Sequence, residues 1–200
     1  MIKLVDINPL KKAFIFEVDD VLIPQKDYDL QVYYLFANFI EYLESFPPAK
    51  DMITFMSKRY DIHRNEKMFE EVQKTFGLDA KYLENLKLLF SNANLPLKLL
   101  LYKEMLDFLQ EIVIEKMKIF ILTKGEPQCQ LNKIKQTEWN GLEKYLKVYF
   151  VDEFIDKKQA FSNLLTENDL NANEILFIGS NDQHFEYARA YELDFLSIKH

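Results

Sequence analysis

Two hundred residues, 48% of them apolar and 14% aromatic, can bury a substantial core, which excludes a disordered chain. The formal charge is −7, and the 25 basic residues are scattered among 32 acids, so neither a nucleic-acid surface nor a basic membrane-binding face is expected. No apolar run reaches the roughly 18 residues that span a bilayer, residues 1–10 lack the apolar region of a signal peptide, and a single Cys129 cannot pair internally. The expectation is a soluble, cytoplasmic protein that contacts no nucleic acid and no membrane.

In chain order, short apolar strands are expected at 13–18, 119–123, 148–151, 175–179 and, more weakly, 195–198. Helical patterns between them imply crossover connections and a parallel sheet, an α/β fold. The first gap is far too long for one crossover. Within it Val32, Leu35, Phe36, Phe39, Ile40 and Leu43 follow helical spacing, as do Met68, Phe69, Val72 and Phe76. Gly77 stands where that second helix should end, and Asp79 can cap another that carries Tyr82, Leu83, Leu86, Leu89 and Phe90. A helix over 99–113 then returns to the sheet. These stripes read as packing between helices, so residues 26–102 are expected to form a helical insertion in an α/β core made of 1–25 and 103–200.

Ligands of such sheets bind beyond the carboxyl ends of the strands. There the run Phe14-Ile15-Phe16-Glu17-Val18-Asp19-Asp20 places Glu17 and Asp19 on one face of extended chain. Paired carboxylates at a sheet mouth suit phosphoryl transfer, in which one attacks, the other moves protons and a metal bridges them. An acidic cluster that merely caps a strand end is the plainer alternative.

This segment resembles motif I of the haloacid dehalogenase (HAD) superfamily, an apolar strand ending in Asp-x-Asp. The resemblance extends along nearly the whole chain. Ile121-Leu122-Thr123-Lys124-Gly125 is similar to motif II, Lys157 (or Lys158) to the lysine of motif III, and Ile175-Leu176-Phe177-Ile178-Gly179 to the strand of motif IV. The resemblance implies a Rossmann-like core, an inserted α-helical cap and a two-step phosphomonoesterase mechanism. Position 17 would attack phosphorus, and Asp19 would protonate the leaving group and then activate water. Thr123, with Lys124 and Gly125 beside it, would bind phosphoryl oxygens, and Lys157 would neutralise their charge. Mg2+ would sit between position 17, Asp19 and the motif IV acids, and the substrate would be a small phosphorylated metabolite.

Several of these positions depart from the pattern. Glu17 replaces the nucleophilic aspartate, and one methylene moves a carboxylate by up to about 1.5 Å, where a misplacement near 1 Å can cost about a hundredfold in rate. Ser180 and His184 stand where motif IV carries aspartates, which leaves Asp182 to compensate, and Val21 replaces the motif I threonine. A metal-free dehalogenase would also need an aspartate nucleophile and would lack Asp19. The leading expectation is therefore a phosphatase-lineage protein with hydrolysis lost or strongly reduced. A working magnesium-dependent phosphatase with a rearranged site is the second reading, and a plain α/β interaction module is the third. His63 and His200 read as exposed polar residues, Arg59 and Arg64 as solvated charge, and Cys129 as a small core residue.

Overall fold

The computed structural model describes residues 3–154, 156 and 158–200. By internal contacts it divides into two units, one made of 1–24, 100–130 and 137–200, the other of 25–99 and 131–136.

The first unit is built on a sheet of five parallel strands: β1 (Ala13–Phe16), β2 (Lys118–Thr123), β3 (Leu146–Phe150), β4 (Ile175–Gly179) and β5 (Asp194–Ser197), in spatial order β3-β2-β1-β4-β5. Alternation along β1 serves both faces of the sheet. Ala13 and Ile15 join Phe120, Leu122 and Phe177 in a core with the later helices of this unit. Phe14 and Phe16 meet the ring of Phe108 at 5.6 and 6.1 Å. All of these side chains are buried, and each of the larger ones, Ala13 apart, contributes about 1.5–3 kcal/mol of hydrophobic stabilisation.

β1 is shorter than the expected 13–18 strand. The Val18 carbonyl accepts from both Leu22 and Ile23 N–H, which turns the chain immediately after the strand. The helix expected over 99–113 begins only at Lys103, because Tyr102 is extended (φ −55°, ψ 134°) and its N–H is bonded to the Leu22 carbonyl. Val151, expected in the third strand, instead opens a 3-10 turn, Val151–Glu153.

In the second unit α1 (Gln25–Glu44) packs on α2 (Ala49–His63), and on α4 (Tyr82–Asn92) beyond α3 (Met68–Phe76). Apolar side chains at helical spacing, Val32, Phe36 and Ile40, are buried along α1. Gly77 adopts the left-handed conformation that ends α3, with φ 70°. Asp79 Oδ1 accepts from Lys81 N–H just ahead of α4. The return runs through α5 (Lys103–Ile114), and later crossovers through α6 (Pro127–Gln136), α7 (Lys158–Asn168) and α8 (Asp182–Ala190). Residues 131–136 of α6 group with the helical unit, outside the expected 26–102 span. Among the described residues no helix is long and apolar enough to cross a membrane.

Candidate active site

Register brings the singled-out positions to one edge of the sheet. Phe16 is level with Ile121 on one side and Ile178 on the other, so Glu17, Thr123 and Ser180 all lie at or just past the strands' carboxyl ends. Lys157 lies outside the described residues, and Lys158 is the first residue of α7.

Glu17 is 7% exposed. Burial, and then the neighbouring charge of Asp19, push its carboxyl up to about 8, against weaker opposition from Val18 N–H, the Thr123 hydroxyl and Lys124 N–H. The Thr123 hydroxyl is buried and lacks a hydrogen-bond partner of good geometry, so its influence on Glu17 is one of proximity. An acid with that pKa is mostly protonated at pH 7.

Asp19 sits in the turn that closes as Asp20 N–H bonds to the Ile23 carbonyl. Gln130, in the first turns of α6 and 5% exposed, donates from Nε2 to Asp19 Oδ2 at 3.0 Å, while its own Oε1 is buried without a partner. The Gln130 side chain lies against Gly125, where a Cβ would come within 3.2 Å of Nε2. Gly125 has φ +121°, and its N–H is bonded to Asp152 Oδ2 at 2.7 Å. The loop after β2 is thus fixed from two sides, with its Gly125 donor committed to a carboxylate. Lys124 is exposed.

After β4, the Asn181 side chain caps α8 by accepting from His184 N–H. The His184 ring folds back so that Nδ1 accepts from Ser180 N–H at 3.1 Å. Burial lowers the His184 pKa, against the pull of the nearby Asp19 and Asp20 charges. A neutral imidazole therefore occupies the position where the resemblance implies an acid. Asp182 opens α8 as an exposed residue.

Gln130 and Asp152 escaped the sequence reading. Asp152 had a signal, since it follows an apolar strand just as Glu17 does. Gln130 had none, because its reach to Asp19 spans 111 residues. His63 is exposed as expected. The His200 side chain is not: it is 10% exposed, with Nδ1 2.7 Å from the Glu104 carboxylate and its ring stacked on Tyr102 at 3.5 Å, because the last strand delivers it onto α5. Arg59 also differs, being half-buried and bonded to the Glu66 carbonyl at 2.8 Å. Cys129 is partly exposed rather than core.

No family model matches this chain, and no curated protein does. Solved structures do. A candidate β-phosphoglucomutase from Thermotoga maritima is 15% identical with a TM-score of 0.65, over 94% of this chain and 86% of that one. A candidate HAD hydrolase from Bacillus subtilis, described with magnesium bound, is 16% identical with a TM-score of 0.61, over 94% and 86%. The L-2-haloacid dehalogenase from Xanthobacter autotrophicus, with chloropropionic acid covalently bound, is 16% identical with a TM-score of 0.54, over 94% and 77%. The chain has a Rossmann-like α/β fold with a helical insertion. That fold is the one of the HAD-like hydrolases.

The side chains present do not fit a magnesium ion. Magnesium takes hard, mostly anionic oxygens in near-ideal octahedral geometry. Here positions 180 and 184 carry a serine and an imidazole where the resemblance implies carboxylates, and among the described residues no group of three or more His, Cys, Asp or Glu side chains is arranged to hold a metal.

Proposed function

We propose that this chain is a HAD-fold protein of phosphomonoesterase lineage whose hydrolase activity is lost or strongly reduced. The observation that carries the reading is the residue at the nucleophile position, Glu17, which is buried and one methylene longer than aspartate. A carboxylate displaced by about 1 Å from its in-line position loses about a hundredfold in rate. The engaged Ser180–His184 pair adds support, because it stands where acids would hold a magnesium ion, whose positive charge would offset repulsion between the carboxylates and a phosphate ester. Asp19, Thr123, Lys124 and Gly125 then remain as parts of the former site, and Lys157 belongs with them. Asp19 would have moved protons, and Thr123 would have donated to a phosphoryl oxygen. Any substrate that is still accepted is a small phosphorylated metabolite, met in the cytoplasm without nucleic acid or membrane. The test is turnover of an aryl phosphate and a broad panel of phosphate monoesters by the purified chain with magnesium. Rates below about 0.01 s⁻¹ are expected, and rates of about 1 s⁻¹ or more on any of them would overturn the reading.

A further inference from the structure

Glu17 is rooted where two strands end. Its own N–H reaches the Ile178 carbonyl at 3.4 Å, and its neighbours Val18 and Thr123 are each 1% exposed. Three donors meet the carboxyl there. Val18 N–H and Lys124 N–H both bond to it, and the buried Thr123 hydroxyl lies beside it. Val18 belongs to the turn after β1, whereas Thr123 ends β2 with Lys124 following it, so parallel register brings the donors together across the sheet. Backbone N–H groups and a hydroxyl converging on one point make a receptor for oxyanions. The next donor along, Gly125 N–H, is already taken by Asp152 Oδ2 at 2.7 Å and adds nothing to this cradle.

Side-chain length decides what fills the cradle. An aspartate with the same root would hold its carboxyl up to about 1.5 Å short of this point, leaving the donors to a ligand. The extra methylene of Glu17 closes that gap. We propose that Glu17 is a resident occupant of the cradle, its carboxyl held by Val18 N–H, Lys124 N–H and the Thr123 hydroxyl in place of the phosphoryl group that a shorter side chain would admit. One residue change thereby displaces the nucleophile and closes the anion site from within. A carboxyl tethered and oriented in the chain competes at an effective concentration far above that of a millimolar free anion. The inference rests on the phosphatase lineage of the site, but it concerns occupancy and not turnover.

The experiment is a titration of the isotopically labelled full chain with inorganic phosphate at constant ionic strength and without added metal, following amide resonances. Glu17→Asn and Glu17→Gln form the central pair, since both are neutral and they differ by one methylene. The Asp19 charge beside the cradle is common to all the proteins and cancels from the comparison. Glu17→Asn and Glu17→Ala should show saturable shifts at Val18, Thr123 and Lys124 with a Kd of about 3 mM or tighter. The parent and Glu17→Gln should bind at least tenfold more weakly. Should Glu17→Ala fail to fold, Glu17→Asn keeps a polar group against the donors and carries the test. No saturable shift up to about 30 mM in either shortened variant overturns the proposal. So does a parent that binds phosphate as tightly as they do. A gain in Glu17→Gln equal to that in Glu17→Asn also overturns it, because charge and not occupancy would then be the cause. Turnover of phosphate esters by the parent would sink the loss of activity instead, and the two failures are read from separate assays.

Discussion

Gln130 donates from Nε2 to Asp19 Oδ2 at 3.0 Å, joining the helix after β2 to the turn after β1 across 111 residues of chain. The same side chain fills the space beside Gly125, so amide and glycine depend on each other. Gly125→Ala would add strain at φ +121° and a Cβ 3.2 Å from Gln130 Nε2. A loss of about 1–3 kcal/mol is expected. Gln130→Leu removes the donor to Asp19 at a cost of about 1–2 kcal/mol. Urea unfolding measures both, and because the two residues touch, the double variant should lose less than the sum.

Glu17 predicts an unusual pH dependence. Its folded pKa of about 8 lies above the ordinary value of 4.5, so the folded chain holds a proton that the unfolded chain releases between those values. Its contribution to stability is full below pH 4.5, falls as pH rises, and is lost above about 8. Glu17→Gln keeps the shape without the titration. The variant should match the parent near pH 4.5 and exceed it at pH 9, by a few kcal/mol and at most on the order of 5. Equal gains at both pH values would place the effect elsewhere.

Lys11 is 3% exposed, and its Nζ bonds the Asn173 and Ile175 carbonyls at 2.8 and 2.9 Å and Asp194 at 2.6 Å. One cation thereby ties together β1, β4 and β5 at the edge of the sheet away from the site. Lys11→Met leaves buried acceptors unmet and should cost roughly 2–3 kcal/mol, a fall in Tm of about 5–10 °C by thermal denaturation.

Repair of the site should be cooperative. Glu17→Asp shortens the acid, and Ser180→Asp returns a hard oxygen to the end of β4. The double variant should gain magnesium-dependent aryl phosphate hydrolysis of about a hundredfold, with each single change giving much less. Should the double variant stay silent, adding His184→Asp removes the imidazole that bonds the position 180 N–H. Calorimetry on the parent should give magnesium binding no tighter than millimolar; a tight stoichiometric site would contradict the reading of its donors.

The sheet was legible because each strand is a short apolar run, and Ile175–Gly179 matches its expected bounds residue for residue. Gly77 was equally plain, since a left-handed helix end favours that residue. The α2 helix was harder to single out: its buried Ala49, Met52, Met56 and Tyr60 are spaced for a helix, but polar residues dilute the pattern. The end of β1 was missed because the turn is set by hydrogen bonds to the Val18 carbonyl, which no side chain advertises. In the site, residue types at strand ends gave the positions, whereas what holds them did not follow. Gln130 on Asp19, Asp152 on Gly125 and His184 on Ser180 are contacts between one loop and another, or between neighbours in a turn whose shape had to be known first.

Gly179 carries a consequence for which exchanges this loop can take. A Cβ there would lie 2.5 Å from the His184 Cβ and 2.8 Å from the Phe195 ring. The glycine, the histidine and the ring therefore form a fitted set, and the imidazole also closes the bond to Ser180 N–H. The 2.5 Å contact is with the Cβ of position 184, which every side chain but glycine carries, and the Ser180 donor is backbone, which any residue at 180 keeps. The loop therefore tolerates exchange at 180 and at 184 while admitting only glycine at 179: its shape is held by the residue that has no side chain.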